Sequence, residues 1–152
     1  MIKILQSLIF LILLSGCSSY KALKHFNKSD SYTKAVQYSK KADLIVNNDV
    51  KTIFYATYLN KVLDNYDNDS YNFVIGFYSQ DEKLEDYELN LNTKEYTKIQ
   101  EIEKTNDLYN ILSVKNAWAK YYIVSFPKND ADELNLRLFS KEYGFVSISF
   151  SD

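Results

Sequence analysis

From Ser31 onward the sequence predicts a mainly β domain, a small two-sheet sandwich with one short helix ahead of it. Three observations carry this. Apolar residues recur at every second position in run after run. The runs are short, with turn residues between them about every 8–12 residues, the spacing of all-β sandwiches and barrels. The chain also holds 14 tyrosines and nine phenylalanines, residues that favour strands and fill cores.

The elements follow in order. Ser31 to Ser39 places Tyr32, Ala35 and Val36 on one face, which predicts a short amphipathic helix capped by Ser29 or Asp30. At Ala42 the period changes to two. Ala42–Val46, the turn Asn47-Asn48-Asp49 and Val50–Leu59 predict a β-hairpin. Its second strand is apolar on both faces, as expected for a strand inside its sheet. Asn60 to Ser70 is a polar loop. Tyr71 to Ser79 is a strong strand, and Gly76 within it predicts a bulge or a close backbone approach. Tyr87–Leu91 and Tyr96–Ile102 are weaker strands joined across Asn92-Thr93-Lys94. Leu108 to Val114 fits either a strand or a short helix. Trp118 to Phe126 is a strand stopped by Pro127. Leu134, Leu136 and Leu138, then a turn at Ser140–Gly144, then Val146, Ile148 and Phe150 predict a hairpin with one wet face, with Gly144 supplying the positive φ of the turn. Seven to nine such strands make a β-sandwich, with immunoglobulin-like topology as first choice and a small β-barrel as the alternative.

The first residues differ in kind. Met1-Ile2-Lys3 precedes an apolar run from Ile4 to Leu14, then Ser15-Gly16-Cys17, the pattern of an export signal. A transmembrane helix needs about 20 apolar residues, and this run is shorter. Leu14-Ser15-Gly16-Cys17 resembles the lipobox of bacterial lipoproteins: an aliphatic residue, two small residues and the cysteine. The resemblance implies cleavage between Gly16 and Cys17, a diacylglyceryl thioether on the Cys17 sulfur, and a freed amine open to a further palmitate-type acyl chain. Each buried methylene contributes about 0.8 kcal/mol, so two or three chains hold persistently where one is marginal. By the enteric sorting rule, Ser18 after the cysteine favours the outer over the inner membrane. The expected organisation is a signal peptide over 1–16, a lipidated tether over 17–30 and one β-rich domain over 31–152.

Composition narrows the function. Without Lys3, 17 basic residues face 20 acidic ones, which gives no electrostatic case for nucleic acid or for anionic headgroups. Cys17 is the sole cysteine, so no intramolecular disulfide supports the domain. His25, the sole histidine, lies in the tether, where it cannot be held beside a nucleophile. Zinc ligands are lacking. Asp64, Asp67 and Asp69 crowd one loop and Asp130, Asp132 and Glu133 another. Neither has EF-hand spacing, and the Asp64 loop is the better calcium candidate. The acid pairs Asp81-Glu82 and Glu85-Asp86 alternate with lysine as a solvated loop does.

No catalytic residues, metal or cofactor are therefore expected. The expected function is an envelope lipoprotein whose β domain is an interaction module for an envelope protein or glycan. A structural or assembly accessory is the alternative, and a hydrolase the weakest reading. Among Tyr55, Tyr66, Tyr71, Tyr78, Tyr121 and Tyr143, the first candidates for a binding surface are Tyr55, Tyr78 and Tyr121.

Overall fold

The computed structural model describes residues 29–152. The signal segment, the cleavage site at Gly16, Cys17 and His25 lie outside the described residues. Helix α1 (Asp30–Gln37) starts where the sequence places a cap, with the Ser29 hydroxyl accepting from the Tyr32 N–H at 3.3 Å. Nine strands follow: β1 (Ser39–Val46), β2 (Asp49–Tyr58), β3 (Ser70–Ser79), β4 (Tyr87–Leu91), β5 (Lys94–Glu95), β6 (Lys98–Ile102), β7 (Lys120–Pro127), β8 (Glu133–Ser140) and β9 (Gly144–Ser151). A five-residue helix, α2 (Asp107–Ile111), makes the first part of the ambiguous segment helical, and Asn106 caps it by accepting from the Leu108 N–H at 2.9 Å.

The strands form two antiparallel sheets, β1-β2-β3-β7-β6 and β5-β4-β8-β9. The architecture is a small β-sandwich. Its strand order corrects the immunoglobulin-like expectation: β1, β2 and β3 are consecutive neighbours in one sheet, whereas an immunoglobulin chain crosses to the second sheet after its second strand. A tight turn makes the first of these connections, and the longer segment 59–69, with two 3-10 turns, makes the second. Asn47 (φ 52°) and Asn48 (φ 65°) both take left-handed conformations, the requirement of a two-residue hairpin turn.

A second correction concerns Tyr96–Ile102. The turn at Asn92 (φ 48°) and Thr93 (φ 72°) joins β4 only to the two-residue β5. The chain then crosses to the other sheet as β6, beside β7. That position suits Ile99 and Ile102, three residues apart on opposite faces of a strand: Ile99 packs on the core between the sheets and Ile102 on the far side.

The main core lies between the sheets. Phe54, Tyr58, Phe73, Ile75, Val124 and Phe126 of the first sheet meet Leu134, Leu136, Leu138, Ile148 and Phe150 of the second. The first sheet also buries its outer face. Leu59, Val74, Ile102, Leu112, Ala119 and Tyr121 form a second apolar layer, covered in part by Leu108 and Tyr109 of α2. No helix of the described residues is long and apolar enough to cross a membrane.

Candidate functional site

The two lateral sides of the sandwich differ. On one, β1 and β9 lie against each other, and Lys40 Nζ donates to the Ser149 carbonyl at 2.5 Å. On the other, β6 ends the first sheet. In the second, β5 pairs with β4 only at Asn90 and Leu91. The backbone of β6 and the start of β4 thus face this side without a strand partner.

An aromatic groove runs along it. Two adjoining hollows, of about 650 and 360 Å³, share Leu84, Glu85 and Tyr122. Phe77 walls one, and Tyr87, Leu89 and Ile99 wall the other. Trp118 stands in the first hollow, 79% exposed, and Tyr96 in the second, 42% exposed.

Local structure fixes these groups. A 3-10 turn at Leu84–Asp86 buries Leu84 and leaves Glu85 exposed. It is held by the Lys83 N–H donating to Asp86 Oδ2 at 2.8 Å. Glu82 accepts from the Ser140 hydroxyl at 3.0 Å. The backbone around Trp118 is tied to the sheet in two steps: Trp118 N–H donates to Asn116 Oδ1 at 2.9 Å, and Asn116 N–H donates to the Tyr121 hydroxyl at 2.7 Å.

Tyr122 is the most unusual member. Its ring packs in the core and the residue is 7% exposed, yet its hydroxyl has no hydrogen-bond partner among the described residues. Burial pushes this phenol up to about 12, and the Glu101 and Glu85 carboxylates add to the shift. At neutral pH it is a neutral hydroxyl in a negative field. Lys120 Nζ lies 3.5 Å from Glu101.

A second, polar basin of about 760 Å³ opens elsewhere, lined by Asn60, Lys61, Asp67, Lys128, Asp132 and Asp152 among others. Tyr58 donates to Asp152 Oδ1 at 2.7 Å, Lys61 Nζ lies 3.6 Å from the same oxygen, and Tyr71 donates to the Asn129 carbonyl. Burial works to raise the Asp152 carboxyl. The hydrogen bond from Tyr58 and the nearby Tyr71 hydroxyl, with the charges of Lys61 and Lys128, outweigh it and hold the group below its usual range. Burial and Asp152 push Tyr58 strongly upward. Acid–base catalysis needs a group that titrates near the working pH, and both shifts lead away from it. The cluster instead ties the end of the chain to β2.

The sequence-predicted tyrosines do come together. Tyr55, Gly76 and Tyr121 occupy one row across β2, β3 and β7, with Tyr78 two residues along on β3. Tyr121 is 2% exposed and belongs to the second apolar layer, which corrects its reading as surface. Tyr55 and Tyr78 are half-buried, and Tyr78 also lines the groove beside Trp118. Of the other tyrosines, Tyr71 is core, while Tyr66 and Tyr143 are half-buried. Asp67 lies 3.7 Å from Lys128, and the described residues contain no group of three or more His, Cys, Asp or Glu side chains able to hold a metal ion. No family model matches the chain, and no curated protein or solved structure is significantly similar to it.

Proposed function

We propose that the chain is a lipid-anchored protein of the bacterial envelope, held by Cys17, and that its β-sandwich is a non-catalytic interaction module that takes its partner in the groove between β4 and β6. The exposed indole of Trp118 beside two unpaired strand edges carries this reading. A tryptophan buries about 150–250 Å² when covered, which makes it an effective anchor for a partner. The anchor part rests on the lipobox resemblance of Leu14-Ser15-Gly16-Cys17.

A photo-cross-linking residue at position 118, in cells making the full chain, tests the groove. The expected result is one defined adduct that disappears when Glu85→Lys is added. The same residue at position 45 serves as control, since Ile45 is 58% exposed and lies on β1, the opposite edge of the first sheet. Equal labelling from both positions, or none from 118, overturns the reading.

A further inference from the structure

We propose that the occupant of the groove is an extended peptide segment that adds as a strand along β6 and seats a Lys or Arg side chain at the Tyr122 hydroxyl, between Glu85 and Glu101. This deepens the groove reading and rests on it.

Three independent observations point there. First, Glu82, Glu85, Asp86 and Glu101 line the groove against Lys83 and Lys120, and Lys120 is already placed against Glu101. The balance is negative, so a cation gains where an anion is repelled. Second, Tyr122 is more than nine-tenths buried while its hydroxyl reaches the groove, without a hydrogen-bond partner among the described residues and with two carboxylates acting on it. Water reaches this hydroxyl from the groove, and an ammonium or guanidinium N–H donating to the phenol oxygen would take that water's place in the field of the two carboxylates. Third, β6 has one free edge over Lys98–Ile102, and an open edge accepts an extended peptide through main-chain hydrogen bonds. Trp118 and Tyr96 then supply aromatic surface to either side of the cation. A second copy of this chain, with a net charge of −2, lacks the charge complementarity. A neutral glycan could stack on Trp118 but gains nothing from the carboxylate field.

Trp118 is the sole tryptophan, so its fluorescence reports on the groove directly. The full chain in mild detergent is titrated with a short blocked peptide alternating Lys with Thr and Val. Parallel titrations use its Glu-for-Lys counterpart, a backbone N-methylated version of the lysine peptide, and a neutral chitin oligosaccharide. The lysine peptide is expected to give a saturable change that weakens with added salt. Glu85→Gln and Glu101→Gln should each weaken it about two- to fivefold, the range of exposed ion pairs. Tyr122→Phe should weaken it about fivefold, the effect of one hydrogen bond. The acidic and N-methylated peptides should not compete. Saturable binding of the oligosaccharide alone would overturn the peptide inference while leaving the groove intact. Equal binding of the N-methylated peptide would overturn strand addition. No saturable response to the lysine peptide, or unchanged affinity in the Gln variants, would overturn the proposed occupant. The cross-link from position 118 tests the groove separately.

Discussion

Gly76→Ala should destabilise the domain even though alanine suits a strand better than glycine. Gly76 has no positive φ, so the backbone accepts any residue. A Cβ built there lies 2.7 Å from Tyr121 Cε1, 3.2 Å from Tyr121 Cδ1 and 3.1 Å from Tyr55 Cδ2. Carbon atoms sit best about 3.5–4.0 Å apart, so the Tyr121 ring must move by nearly 1 Å. It has little freedom to do so: its hydroxyl is held by the Asn116 N–H, and Tyr109 packs edge-on at 5.0 Å. Overpacking of this kind costs about 1–3 kcal/mol. Replacing a strand glycine by alanine returns about 0.5–1 kcal/mol of backbone entropy. The net loss is therefore about 1–2 kcal/mol. With a urea m-value of about 1.5 kcal/mol/M, the unfolding midpoint should fall by about 1 M. Tyr121→Leu removes the obstructing ring, and in that background Gly76→Ala should approach neutrality, a coupling of about 1 kcal/mol or more. A midpoint that rises with Gly76→Ala, or falls equally in both backgrounds, would refute the close-approach account.

Leu136→Ala, at a fully buried position between the sheets, should cost about 2–5 kcal/mol in denaturant unfolding. Gly144→Ala meets no atom within 4 Å but must adopt φ +92°, so it should cost about 1 kcal/mol through the backbone alone, and Gly144→Asn should cost less. Stability should hold up to about pH 10 and fall as pH rises through about 12. Tyr122 is protonated more tightly in the folded state than in the unfolded one, so unfolding releases protons over that window. Phenolate absorbance should show a late-titrating set that appears together with unfolding. Cys17→Ser should remove acyl mass from the mature N-terminus, measured by mass spectrometry, and leave unlipidated precursor.

Strand existence was largely legible because it rests on a period of two, which a buried sheet face imposes on its own residues. The C-terminal hairpin shows this best: Leu134, Leu136 and Leu138 are all fully buried, while Asn135 and Arg137 between them are exposed. The Ser29 cap and the Asn47-Asn48 turn were equally local. Sheet order was not, because the pairing of β3 with β7 joins residues some fifty positions apart and no local signal encodes it. The same gap hid the groove. Tyr122 alternates into the core like its neighbours, and only the choice of β6 as an edge leaves its hydroxyl at an open side. Trp118 reads as the first residue of a strand, but β7 begins at Lys120 and the indole stays outside. Tyr121 misled for the converse reason. The second apolar layer that covers it is built from α2 and the loops around it, where apolar residues carry little periodicity.

Where binding can occur follows from which interactive groups the fold leaves unengaged. The first sheet buries both faces, so neither is open to a partner over most of its area. The outer face of the second sheet carries Phe139 and Phe145, but Arg137 lies 5.6 Å and 4.2 Å from their ring centroids, and this cation already occupies them. In the polar basin, Tyr58 and Tyr71 donate to Asp152 and Asn129, and Lys61 and Lys128 face carboxylates. The lateral groove is different on each count. Among the described residues, the Trp118 indole has no ring partner, the Tyr122 hydroxyl has no hydrogen bond, Glu85 has no ion pair, and β6 has a free edge. An apolar anchor, a polar donor–acceptor, a charge and a backbone edge thus converge in one place. A folded chain gains no stability from leaving such groups together, and a partner that satisfies all four at once gains affinity from each.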